Sequence, residues 1–226
     1  EKDYNNSNDT GARLALKVDL NDNWTILPTV MVQNTKSYGS FGFDPVVGDL
    51  QLTHFAPESF DDKWVQASLT VTGKVGNFDV SYNYSYLDRD IDTQSDYSDY
   101  GYWYDVVSGY GAYDNDGNYI DPSQYIVGVD KYKNYSQELR ISSDQSKRLR
   151  FIGGLFWQKQ THDIQQDYLI KDFGDQYEVT GWDDTIWLTK QIRTDKQTAI
   201  FGELTFDFTD KLKGTFGLRH FQNDNS

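Results

Sequence analysis

The residues of this chain best suited to chemistry are aromatic and acidic, and they crowd into one stretch. Between Asp90 and Tyr132 stand Tyr97, Tyr100, Tyr102, Trp103, Tyr104, Tyr110, Tyr113, Tyr119 and Tyr125, interleaved with Asp96, Asp99, Asp105, Asp114 and Asp116. Aromatic faces stack on sugars or aromatic ligands, while phenol hydroxyls and carboxylates hydrogen-bond to them. The sequence therefore nominates Tyr100, Tyr102, Trp103, Tyr104, Tyr110 and Tyr113 as a ligand-capturing set. The competing reading is a lid whose tyrosines pack on one another or meet lipopolysaccharide. The acidity of the stretch disfavours a strongly anionic ligand, since like charges repel.

Catalytic and metal-binding patterns are weaker. Glu203 and Asp207 share the polar side of one alternating segment, as Glu138 and Arg140 share that of another. Acid–base catalysis would need such carboxylates in a cleft at a set separation, whereas a polar wall uses charged ladders simply to satisfy one another. His54, His162 and His220 are scattered without metal-ligand spacing. His54 and His162 fall in or beside long links, where solvated loop histidines are the plain expectation. Asp114–Asp121 resembles a calcium loop, but its sixth position is Tyr119 rather than Gly and its twelfth is Tyr125 rather than Glu. Asp116-Gly117 reads better as the turn of a small hairpin. With no cysteine in the chain, disulfides, thiolate nucleophiles and Cys-containing zinc sites are excluded. The expectation is a non-enzyme with no catalytic residues, no metal and no cofactor.

The elements that would position the aromatic stretch show in the periodicity. Phe78, Val80, Tyr82, Tyr84 and Tyr86 alternate with Asp79, Ser81, Asn83 and Ser85, a period of two that only a β-strand sorts onto opposite faces. Comparable segments begin at Ala12, Trp24, Val65, Tyr135, Leu149, Ile200 and Phe216, giving about eight strands of roughly ten residues. Their connections alternate short and long. Asn21-Asp22-Asn23, Val75-Gly76-Asn77, Ser143–Lys147 and Thr209-Asp210-Lys211 are tight; the links over about 39–62, 90–132 and 163–196 are long. A sandwich has no reason to lengthen every second connection, but an outer-membrane barrel does, with short periplasmic turns and long extracellular loops. Trp24, Trp64, Phe78 and Trp157 fall where interfacial aromatic girdles sit. Pro28 predicts a bulge or bend, and Gly153-Gly154 a bend or close packing.

Composition is compatible with this. The 226 residues carry a net charge of -14 and 16% aromatics, with a mean hydropathy of -0.72. The acidity disfavours nucleic acid as a partner, and the aromatic content is too high for disorder. No run approaches the roughly twenty apolar residues of a membrane helix, so any crossing would be made by a closed barrel.

Three segments resemble barrel strands of the TonB-dependent outer-membrane receptors: Tyr135–Ser143, Leu149–Gln158 and Ala199–Leu212. The opening segment, Gly11-Ala12-Arg13 through Trp24-Thr25-Ile26, is similar to an earlier strand pair of the same family. The resemblance implies a barrel of 22 strands enclosing an N-terminal plug, in the bacterial outer membrane, importing a scarce nutrient with energy delivered through TonB. No plug or TonB-contacting segment is recognisable. The expectation is therefore that residues 1–226 are an interior part of one barrel domain. Its partners would be a small-molecule nutrient (siderophore, cobalamin, saccharide or similar), outer-membrane lipid and lipopolysaccharide, and TonB through a plug outside this chain. Arg13, Glu138, Arg140 and Glu203 would line the inner wall. Two rivals are an eight-strand barrel acting as adhesin or anchor, and a soluble β-sandwich that binds carbohydrate.

Overall fold

The computed structural model describes residues 4–226, apart from the side chain of Tyr104. Nine strand segments follow in order: β1 (Asn6–Ala15), β2 (Val18–Asn21), β3 (Trp24–Tyr38), β4 (Ser59–Val75), β5 (Phe78–Asp96), β6 (Gln124–Ser142), β7 (Leu149–Ile170), β8 (Thr185–Asp207) and β9 (Lys213–Asn225). All belong to one antiparallel sheet in which β3 to β9 each pair with their neighbours in sequence. Among the described residues there is no second sheet to stack on it, as a sandwich would require. Nor does the sheet close, since β1 and β9 stand at opposite edges.

β1 and β2 both pair with β3 and occupy one edge line, so nine segments make eight lines. Pro28 explains the break between them. The Leu16 N–H donates to the Pro28 carbonyl at 3.1 Å, but Pro28 has no N–H to return to the ladder. The irregularity expected at Pro28 thus falls on the partner strand.

The register carries the alternation across strands. Val71 lies opposite Tyr82, Tyr82 opposite Leu139, Leu139 opposite Leu155 and Leu155 opposite Ile200. Val30, Ala67, Tyr86 and Tyr135 form another such row. One face of the sheet is therefore continuously apolar at its short-turn end, and among the described residues nothing covers it. Leu14 is 73% exposed, Leu155 54% and Leu218 69%, although burying one such side chain is worth about 2 kcal/mol. Aromatic rings bound this band on both sides. Trp24, Phe78, Phe151, Phe206 and Phe216 lie toward the short turns, with Phe78 and Phe151 5.8 Å apart. Tyr86, Tyr135 and Trp157 lie toward the long loops, with Tyr86 and Tyr135 4.9 Å apart. Trp64 departs from expectation: it sits on the opposite, polar face, across from Arg89.

The polar face at the same level holds Arg13, Ser68, Thr70, Asn83, Glu138, Arg140 and Glu203, placed there by register. Arg140 pairs with Glu138 at 2.8 Å and lies 5.7 Å over the Phe201 ring. Gly154 makes room for that ring, since a Cβ there would approach it to 2.4 Å.

The strands run well beyond the segments legible in sequence. The long connections shrink to 39–58, 97–123 and 171–184, shorter than the 39–62, 90–132 and 163–196 expected. Where they leave the apolar band the added lengths are largely polar on both faces, so they lose the alternation that marks a half-buried strand, although apolar residues return at Tyr125–Val129 in β6 and Ile186–Leu188 in β8. Cross-strand pairing replaces it. Asp61 meets Lys36 on the next strand and Lys63 on its own, each at 3.2 Å, and Lys133 approaches Asp88 at 3.7 Å. Arg89 donates twice to Asp62, at 2.8 and 2.7 Å. The exposed lysine pairs contribute about 0.2–1 kcal/mol each, the Arg89–Asp62 pair is set apart by its buried carboxylate, and the ladder hydrogen bonds carry the rest.

Candidate functional site

Two features occupy the polar face at its long-loop end. The first is a row set by register: Trp64, Arg89, Tyr132, His162 and Arg193 lie side by side on β4 to β8. His162 is not the solvated loop residue expected. It is half-buried within β7, its ring stacks on Tyr132 with centroids 3.8 Å apart, and Nε2 lies 2.7 Å from Asp130 Oδ1.

The second feature lies about 20 Å further along the strands, six residues beyond His162 at roughly 3.3 Å each. There the connection 97–123 folds over the polar face as a lid. It begins with a short helix, α1 (Ser98–Tyr102), continued by a π-helical turn at Trp103–Val107. Gly101 lets α1 lie against the segment leading into β6, since a Cβ there would come within 2.2 Å of the Pro122 carbonyl oxygen. The Tyr97 N–H donates to the Gln124 carbonyl at 2.9 Å. Further out, Tyr113 and Tyr119 form a bridge around the small hairpin expected at Asp116-Gly117.

Two sets of contacts tie the lid to its neighbours. Asn115 and Asp175 exchange hydrogen bonds of 2.8 Å, and the Gly174 N–H donates to the Tyr113 carbonyl at 2.8 Å, joining the lid to 171–184. Asp96 joins it to 39–58, accepting from the backbone N–H of Phe55 at 2.5 Å, Ala56 at 2.6 Å and Ser98 at 2.9 Å. Burial alone would raise the Asp96 carboxyl, but the donors from Ala56, Ser98 and Phe55 outweigh it and hold it below the ordinary range.

Beneath the lid is a cavity of about 470 Å³, walled by Tyr97, Tyr100, Asp105, Tyr110 and Ala112 from the lid, by Gln124, Tyr168 and Ile170 from β6 and β7, and by Phe173, Ile186 and Trp187 beyond them. Of the six residues nominated from sequence, Tyr100 and Tyr110 line this space. Trp103 stacks behind Tyr100, centroids 6.0 Å apart and planes 17° from parallel. Tyr102 is 60% exposed, and Tyr113 packs edge-on against Tyr119. Neither Tyr102 nor Tyr113 lines the cavity, though both belong to the lid. Tyr104 lies outside the described side chains. The Tyr119 hydroxyl donates to Asp105, which pushes its pKa up to about 12.

Tyr168, Phe173 and Trp187 escaped sequence reasoning because they belong to another connection. The signal available was the alternation Gln166, Tyr168, Ile170 at the end of β7.

The other sequence patterns resolve into structural roles. Asp114 accepts from the backbone of Asp116 at 2.9 Å and Asn118 at 2.8 Å, and from the Asn118 amide at 3.0 Å. Its carboxylate thus closes a turn, and the Asn118 contacts lower its pKa. Among the described residues no three acidic or histidine groups converge as a metal site. Asp207 is gripped by Arg150 at 2.6 and 2.8 Å. Glu203, four residues away on the same strand and so about 13 Å distant, is beyond the carboxylate separation of glycoside hydrolysis. His54 pairs with Glu58 at 2.8 Å in the first long connection. Compared with known protein families and with curated proteins, the chain matches none.

Proposed function

We propose that this chain is a wall segment of an outer-membrane receptor barrel, of the TonB-dependent kind, that captures a small nutrient under its lid and passes it along the polar face. The apolar face meets lipid, the short turns lie in the periplasm, and the charged extensions and lid stand outside the cell. The polar row of Trp64, Arg89, Tyr132, His162 and Arg193 lines the route below the lid. Further strands beside β1 and β9 close the wall, because open sheet edges cannot be left in hydrocarbon.

The observation that carries this reading is the bare apolar band. It crosses every strand line, is bounded by aromatic rings on two sides, and gives way to charge on both faces beyond them. From Phe78 to Tyr86 it spans eight steps, about 26 Å along the strand and roughly 20 Å at the tilt usual for barrels. A soluble protein covers such a face; a lipid bilayer covers it here. The polar face and its lid then favour a receptor over a simple anchor, since an anchor has no need of a walled cavity.

Cell fractionation tests the proposal. The native protein is expected in the detergent-insoluble outer-membrane fraction, with electrophoretic mobility that shifts on heating. Recovery in the soluble fraction without detergent would overturn it.

A further inference from the structure

The walls of the cavity beneath the lid are chemically one-sided. Among the residues that line it there is no lysine, arginine or histidine. Its single charged group is the Asp105 carboxylate, and its surface is otherwise aromatic, aliphatic or neutral polar. Gln124 lines the space, is only 2% exposed, and its amide oxygen has no hydrogen-bond partner. An orphaned buried acceptor is costly until a donor reaches it. Two of its rings are open to contact, Tyr110 at 73% exposed and Trp187 at 63%, while Tyr97 and Tyr100 pack on each other with centroids 5.1 Å apart.

We infer that the ligand is a neutral, hydroxyl-rich ring compound of the saccharide class. Its hydroxyls donate to Asp105 and Gln124, and its apolar ring faces stack on Trp187 and Tyr110. An anionic ligand would enter with no cation to receive it, against the field of Asp105 and a chain of net charge -14. A small cation would fit the charge but not the space. The volume of about 470 Å³ lies in the range of whole small-molecule sites, and the rings lie against one another rather than enclosing a single point. The inference deepens the receptor reading and rests on it only for the lid facing the outside of the cell.

The test uses the full protein in detergent and a panel of neutral oligosaccharides, with uronate-bearing and amine-bearing analogues of the same length, read by tryptophan fluorescence and calorimetry. At least one neutral member is expected to bind saturably. Trp187→Ala should weaken that binding about tenfold, and Gln124→Leu should weaken it by a smaller factor. Phe41→Ala, an exposed ring on another connection, should leave it within about twofold. Retained heat-shifted mobility shows that the variants fold. No binding across the neutral panel, preference for a charged analogue, or indifference to Trp187→Ala each overturns the inference. A protein that binds the saccharide yet is soluble without detergent would sink the membrane reading and leave the ligand class standing. One that is outer-membrane bound yet ignores the panel would do the reverse.

Discussion

At its short-turn end the sheet sorts side chains strictly, with Val80, Tyr82 and Tyr84 on one face and Ser81, Asn83 and Ser85 on the other. Past Tyr86 the same strand carries Asp88 and Asp90 on the face that had been apolar, and Arg89 on the other. The backbone is the same ladder in both regions, paired residue for residue. What changes is the surroundings each region is built to meet. The first presents an apolar face and a polar one; the second is held by ion pairs, hydrogen bonds and a lid, and on the proposed reading it meets water on both sides. The difference teaches that strand geometry and membrane signature are separable. A β-strand can continue for ten residues after its hydrophobic pattern has stopped.

Substitutions that ignore or respect this boundary should behave very differently. The largest effect is expected for Leu155→Arg, in the middle of the apolar band, which should cost about 2–4 kcal/mol in vesicle refolding titrations. Thr161→Arg, on the same face of the same strand but beyond the band, should cost less than about 1 kcal/mol. Equal costs at the two sites would erase the distinction.

Arg89→Ala should come next. Asp62 is only 6% exposed and would lose both donors, so denaturation should show a loss of about 2–3 kcal/mol. The same measurement on Lys133→Ala, whose pair with Asp88 is exposed and loose, should show less than about 1 kcal/mol.

The connection between loops gives a pH-dependent prediction. The Asp96 carboxyl is held below its unfolded value, so its contribution is fully present above the unfolded value of about 3.9 and lost as pH falls through the lower folded value. Hydrogen exchange in 39–58 should therefore remain slow down to about pH 4 and quicken below it. Asp96→Ala should quicken it above about pH 4 and make little further difference well below that, where the carboxyl is already protonated. The smallest effect is spectroscopic: Tyr119 should ionise near pH 12, and in Asp105→Asn its midpoint should fall back toward about 10.

Much of the sheet was legible because one face of its short-turn half is apolar and the other polar. Phe78–Tyr86 and Leu149–Trp157 announce themselves by alternation, and the eight strand lines follow from repeating that pattern between short turns. The outer halves of β4 to β8 were not legible. A stretch such as Lys159 to Gln166 carries polar residues on both faces, and its strand character comes from its neighbours rather than from its own sequence. The site was half legible for a related reason. Composition marked the lid as aromatic, but which rings face the cavity depends on how 97–123 folds onto β6 and β7. Tyr100 and Tyr102 differ by two positions on one short helix, and only Tyr100 lines the cavity. Trp187 arrives from a different connection altogether, and His162 was hidden inside a strand extension.

The central claim is that the apolar face touches lipid while the opposite face touches water. It is tested most directly by placing single nitroxide labels at successive positions from Phe78 to Tyr86 in the membrane-reconstituted protein; the chain has no cysteine of its own to interfere. Oxygen accessibility should peak at Val80, Tyr82 and Tyr84, and accessibility to a water-soluble relaxant at Ser81, Asn83 and Ser85, with a period of two. Labels at Val80, Tyr82 and Tyr84 that are shielded from both reagents, or open to the aqueous one, would contradict the account.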